Sequence, residues 1–97
     1  MAVIVVTHFK GHRDFVPLVR QAAALLKRHG ALSVRAGRVQ AGPDAGEIVV
    51  ATTVADWPTY GRFMQGITTD PEWRKVYGEF ARNFELRARS VIAAEEF

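Results

Sequence analysis

The order of hydrophobic patterns predicts an α+β domain. Period-two runs at Ala2 to His8, Leu32 to Gln40, Glu47 to Val54 and Leu86 to Ala94 read as strands. Helical spacing covers Asp14 to His29 and, as a broken pair, Asp56 to Phe84. A length of 97 residues suits one domain with one core, spanning 1–97. Together these give β-α-β-β-α-β, the split βαβ order of a ferredoxin-like domain with a four-stranded antiparallel sheet.

The first run is apolar on both alternating sets: Met1, Val3 and Val5 on one side, Ala2, Ile4 and Val6 on the other. Burial on both faces is the simplest account. Helices cover only one face of such a sheet, so a second copy of the chain is expected on the other. Gly11 to Asp14 is a turn. Asp14 is the expected N-cap of the first helix, and Pro17 sits in a first turn that loses no hydrogen bond to it. Phe15, Leu18, Val19, Ala22, Leu25 and Leu26 form the apolar stripe, and His29-Gly30 closes the helix.

Runs two and three alternate cleanly and flank the turn cluster Ala41 to Gly46, so they read as a hairpin with a longish loop. Asp56 caps the second helical region, with Pro58 just inside it. Thr68-Thr69-Asp70-Pro71 breaks and restarts it, with Asp70 as N-cap and Pro71 first in the new helix. Trp57, Tyr60, Met64 and Ile67 share one stripe; Trp73, Val76, Tyr77, Phe80, Ala81 and Phe84 share the next.

Net charge is +3, and the basic residues are scattered rather than clustered. They read as solvated faces, not as a nucleic-acid footprint. The chain has no cysteine, which excludes disulfide and thiol chemistry. The apolar start is short and is soon followed by Lys10, His12, Arg13 and Asp14, so neither a signal peptide nor a membrane span is expected and a cytoplasmic location is. No P-loop, GxGxxG, nucleophile elbow or HExxH pattern is present.

His8 ends the first strand on the Ile4/Val6 side. If that side faces the helices, its imidazole reaches the space between them and the sheet, as a general base. His8 and His12 make two of the ligands a metal needs, but no third has convincing spacing, so no metal is expected. Trp57, Tyr60, Trp73 and Tyr77 ride on helices that face one sheet. They either pack the core or line an apolar pocket with their phenols orienting a ligand. Arg87 and Arg89 alternate onto one face of the last strand, where either a dimer interface or a ligand carboxylate would use them.

Four stretches carry a resemblance: Gly30-Ala31 before strand two, Asp56-Trp57-Pro58-x-Tyr60-Gly61, Asp70-Pro71-Glu72-Trp73, and a last strand running Ser90-Val91-Ile92 to Glu95. The chain resembles the dimeric α/β-barrel superfamily, and is most similar to NIPSNAP-like and antibiotic-biosynthesis-monooxygenase-like members. The resemblance implies a homodimer with its sheets face to face and a cavity between each sheet and its helices. It also implies activities that include cofactor-free monooxygenases, haem-degrading enzymes and polyketide cyclases. The haem-degrading members place a histidine in the second helical region, and Asp56 to Phe84 contains none. The cyclase histidines fall where this chain reads Asp70-Pro71-Glu72-Trp73 and, early in the first strand, Ala2 or Val3.

Among the activities the resemblance implies, a cofactor-free monooxygenase needs only a cavity for an aromatic or polyketide-like ligand and no cofactor, with His8 as base and Tyr60 or Tyr77 holding the substrate oxygen. Trp57, Met64, Trp73 and Tyr77 would form the ligand-binding wall. The alternative is a non-catalytic ligand-binding or structural homodimer. An open pocket of about 300 Å³ or more shared by His8 and a tyrosine favours the enzyme; a filled one favours the alternative. An RNA-binding sheet would carry aromatics on its central strands, and here they ride on helices.

Overall fold

The computed structural model describes residues 1–97. In order they form β1 (Val3–Lys10), α1 (Val16–Arg28), β2 (Ser33–Arg38), β3 (Ile48–Val54), α2 (Trp57–Thr69), α3 (Pro71–Asn83) and β4 (Glu85–Ala93). The sheet order is β2-β3-β1-β4, and every neighbouring pair is antiparallel. This is the ferredoxin-like βαββαβ fold, its second helical region split into α2 and α3. No helix is long and apolar enough to cross a membrane.

Local chemistry sets the boundaries. The Asp56 carboxylate accepts the Thr59 N–H (2.8 Å) and Asp70 accepts the Glu72 N–H (2.9 Å), so both start their helices as the sequence suggests. Asp14 does not occupy the cap position of α1. Phe15 does, in helical geometry and without a side-chain bond, while Asp14 accepts the Val16 N–H from one residue outside. β1 runs on to Lys10 rather than stopping at His8. Phe9 continues the ladder, and its ring packs 4.4 Å from that of Phe80.

Alternation decides which side chains meet the helices. Val3, Val5, Thr7 and Phe9 of β1 point to them, with Ile48, Val50, Thr52 and Val54 of β3. One core cluster joins Val3, Leu26, Ala31, Val54, Phe63 and Ile67; the other joins Phe9, Ile48, Phe80 and Phe84. Val3, Ile48 and Val54 are wholly buried, each stabilising the fold by about 1.5–3 kcal/mol. The opposite face carries Ile4, Val6 and His8 beside Val49, Ala51 and Thr53, and no helix covers it. Ile92 on its β4 edge stays 45% exposed.

Arg38 ties the loops at one end. Its guanidinium donates to the carbonyls of Gly11 (2.9 Å), Gly46 (3.0 Å) and Arg13 (2.8 Å) and lies over the Phe15 ring. One planar fork thus satisfies three backbone acceptors and joins the β1–α1 turn to the hairpin loop.

Candidate functional site

A cavity of about 250 Å³ separates the sheet from the helices where the two core clusters meet. Its floor is Val5, Thr7 and Phe9 of β1, Val50 and Thr52 of β3, and Arg89 of β4. The walls come from α1 (Val19, Ala22, Leu26), α2 (Tyr60, Phe63, Met64, Ile67, Thr68) and α3 (Trp73, Val76, Tyr77, Phe80). Trp73 and Tyr77, one helical turn apart, lie 5.8 Å centroid to centroid. Phe80 adds a further aromatic to the lining and is backed from the core by Phe84, 4.6 Å away. Such a lining suits a flat apolar ligand.

The polar groups in this lining are few. Thr7 and Thr52 are buried, yet neither hydroxyl bonds within the chain, and no fully enclosed side-chain polar atom lacks a partner. The hydroxyls therefore open onto the cavity. Arg89 is the one charged side chain in the lining. It stands directly across the ladder from Thr7, with its guanidinium 6.0 Å from the Tyr77 ring centroid. No carboxylate pairs with it. The site is thus an apolar slot with hydroxyls and one cation at its edge, a setting that favours a ligand carrying an acidic oxygen.

A β-bulge places that cation. The β1–β4 register shifts between His8 and Phe9, which pair with Ala88 and Leu86. Arg87 is the extra residue. Arg87 then turns to the outer face, its Nε 3.7 Å from Glu47, while Arg89 turns to the cavity. The expectation that the two arginines share a face is corrected by this one inserted residue.

The corner beside Ile67, Thr68 and Trp73 is held by His29, whose Nε2 donates to Asp70 Oδ2 at 2.6 Å, with Arg28 donating to the same oxygen at 3.3 Å. The hydrogen bond from His29 holds the Asp70 carboxyl below its ordinary value. The N–H groups of Glu72 and Trp73 and the charge of Arg28 act in the same direction, against the opposing effect of desolvation. So the end of α1 is fastened to the α2–α3 junction, and this junction positions Trp73 in the cavity wall.

Of the residues singled out in the sequence, Tyr60, Met64, Trp73 and Tyr77 do line the cavity. Trp57 does not. It sits 48% exposed at the first residue of α2, edge-on to Tyr60 at 5.8 Å, and backs that ring from outside. His8 does not either. Because the Val3/Val5/Thr7 set faces the helices, His8 lies on the outer face, 3.2 Å from Glu47 Oε1. The imidazole and the tyrosines are therefore on opposite sides of the sheet, and His8 cannot be a base for a ligand in its own chain's cavity. Sequence reasoning missed Thr7 and Thr52, whose only signal was polarity at inward positions of otherwise apolar strands.

No family model matches the chain, and no curated protein matches it. Solved structures do. A variant of SnoaB, a cofactor-independent oxygenase from Streptomyces nogalater, superposes with a TM-score of 0.75 at 15% identity, covering 99% of this chain and 95% of that one. An uncharacterised NIPSNAP domain protein from Burkholderia xenovorans gives 0.74 at 14% identity, over 100% and 97%. A protein assigned as an antibiotic biosynthesis monooxygenase from Chloroflexus aurantiacus gives 0.67 at 9% identity, over 100% and 96%. At these identities the likeness establishes the shared ferredoxin-like fold along the whole chain.

Proposed function

We propose that this chain forms a homodimer through its uncovered sheet face, and that each cavity holds a planar phenolic aromatic which reacts there with molecular oxygen without a cofactor. The observation that carries this is the cavity itself: apolar, about 250 Å³, with the Tyr60, Tyr77, Thr7 and Thr52 hydroxyls and the Arg89 guanidinium among its polar groups. That volume falls just under the usual range of about 300–1,000 Å³ and His8 is absent from the lining, so the pocket does not meet the size and base expected from the sequence, and the reading rests on its flat apolar shape and its polar edge. The uncovered row Ile4, Val6, Val49, Ala51 and Ile92 supports the dimer, since an exposed apolar sheet face calls for a partner.

The chemistry follows from the lining. Trp73 and Met64 cover the ring, Tyr60 and Tyr77 orient its oxygen, and Trp57 braces Tyr60. Arg89 favours the ionised oxygen, so the ligand is held as its electron-rich anion. The anion, its proton released to solvent, passes one electron to oxygen; the radical pair joins as a peroxide anion that takes a proton back from solvent, and loss of water from the resulting hydroperoxide leaves a carbonyl. One methylene and one O2 become one carbonyl and one water, with oxygen as the oxidant. Dry walls protect the radical pair from side reactions. The fold shared with a cofactor-independent oxygenase supports this reading.

A second reading is binding without turnover. It is favoured by the placement of His8 on the other face, which leaves no imidazole or carboxylate in the lining to take a proton. One experiment separates the two. Purified protein is titrated with a hydroxyanthrone while tryptophan emission and oxygen consumption are followed. Quenching with protein-dependent oxygen uptake and a product richer by one oxygen and poorer by two hydrogens is expected. Quenching with no uptake selects the binding protein. Neither signal, for any of a panel of polycyclic phenols, sinks both. Sedimentation at micromolar concentration tests the dimer.

A further inference from the structure

We infer that the outer face of the sheet carries a divalent-cation site of the Zn²⁺ class, built from His8, Asp44 and Glu47. His8 comes from β1, Asp44 from the β2–β3 loop and Glu47 from the last residue of that loop before β3, so only the fold unites them. Their ligand atoms all lie within 4.8 Å of one another. His8 Nδ1 and Glu47 Oε1 are already 3.2 Å apart. Two donors on a tetrahedral ion with bonds of about 2.0–2.1 Å sit roughly 3.3 Å apart, so this pair forms a ready edge of the coordination sphere.

The loop presents the third donor. Gly42 (φ 104°) and Gly46 (φ 93°) take left-handed backbone that only glycine adopts freely. The Gly46 N–H donates to Val39 (2.8 Å) and the Glu47 N–H to Asp44 (3.0 Å), which folds Asp44 back over Glu47. Glu47 is anchored on its other side: its Oε2 lies 3.7 Å from Arg87 Nε, leaving Oε1 turned to His8. Fixing a carboxylate ligand from behind in this way is what outer partners do in metal sites. Two carboxylates and a neutral imidazole balance a 2+ charge. The mixed N/O donors suit Zn²⁺ or Co²⁺ better than Ca²⁺ or Mg²⁺, which prefer all-oxygen shells. Water completes the sphere on the exposed Asp44 side. The nearby Arg87 charge opposes the ion and weakens its binding.

The site lies across the sheet from the aromatic cavity, on the face proposed to meet the second copy, and does not depend on what the cavity binds; Asp44, in its exposed loop, is the donor left open to water. The test uses the untagged, metal-stripped full chain. Co²⁺ alone is titrated by visible absorption, and Zn²⁺ alone by calorimetry, with displacement of Co²⁺ by Zn²⁺ as a check. Sedimentation run alongside each metal titration reports the assembly state in which the ion is bound. One ion per chain and an intense tetrahedral cobalt band are expected. Asp44→Asn, in an exposed loop where folding is not at stake, weakens binding by roughly tenfold or more, as does His8→Gln; His12→Gln leaves it unchanged. Circular dichroism confirms that each variant is folded. Absence of a saturable cobalt band overturns the inference, as does affinity that survives both Asp44→Asn and His8→Gln or that disappears with His12→Gln.

Discussion

Two glycines of α2 face opposite fates on conversion to alanine, and the difference tests how the cavity corner is held. At Gly61 an added Cβ meets nothing within 4 Å. Gly61→Ala should therefore express only the helix preference and stabilise the fold by about 0.8–1 kcal/mol. At Gly66 the same atom would fall 2.5 Å from His29 Nδ1. To reach ordinary contact at 3.4 Å the ring must retreat by about 0.9 Å. His29 is not free to do so, because its other nitrogen is bound to Asp70 at 2.6 Å. Movement toward Asp70 collides, and movement away breaks the bond. Gly66→Ala should thus lose the propensity gain and destabilise instead. In a His29→Ala background the obstacle is gone, and Gly66→Ala should become stabilising. The assay is urea unfolding at one fixed protein concentration, since dimer formation would make stability concentration-dependent. In thermal terms 1 kcal/mol corresponds to roughly 4–8 °C for a domain of this size. Equal stabilisation by Gly61→Ala and Gly66→Ala would refute the reasoning, because it would mean that the His29 ring swings aside at no cost.

Arg89→Met should leave the fold intact, since the side chain is exposed, and lower affinity for a phenolate ligand by roughly tenfold while sparing a neutral ring of the same shape; fluorescence titration of both ligands reads it. Thr7→Val fills the same volume without an unpartnered hydroxyl, so it should raise the unfolding midpoint slightly while weakening any oxygen-bearing ligand. Phe80→Ala removes a ring that is 5% exposed and stacked on two others, and should cost about 3–5 kcal/mol in denaturant unfolding. Asp70 contributes to the acid limb together with Asp56, whose carboxyl is also held low by its hydrogen bonds with Thr59. The Asp70 carboxyl is held below its ordinary value of 3.8, so its contribution is whole above that pH and is lost as pH falls through the lower folded value. Asp70→Asn should lower stability at neutral pH and flatten the pH dependence below about 4; an unchanged acid limb would count against the role of the His29 bond.

The element order, the break at Asp70-Pro71 and the cavity wall of Tyr60, Met64, Trp73 and Tyr77 were legible because each rests on a local rule: a cap, a proline or a helical repeat. The sidedness of β1 was not. Val3 and Val5 are as apolar as Ile4 and Val6, so periodicity marks two faces without saying which meets the helices, and His8 goes with the wrong one. Trp57 shows a related limit. A helical wheel gives the direction of a side chain but not its height, and at the first residue of α2 the ring reaches only the back of Tyr60.

The arginines of β4 and the His8 cluster show why the chemistry was harder to read than the fold. Strict alternation sends Arg87 and Arg89 to one side, and a single unpaired residue in the ladder sends them to opposite sides. Nothing within the strand announces the bulge, since it answers to the pairing of two strands far apart in sequence. Likewise the nearest carboxylate to His8 is 39 positions away. The β2–β3 loop, through two left-handed glycines, brings Asp44 to the same point. Both the cation that faces the cavity and the donor set on the outer face are therefore products of register rather than of motif. Substitutions that shift the β1–β4 pairing would move Arg89 out of the cavity while leaving every one of its lining aromatics in place.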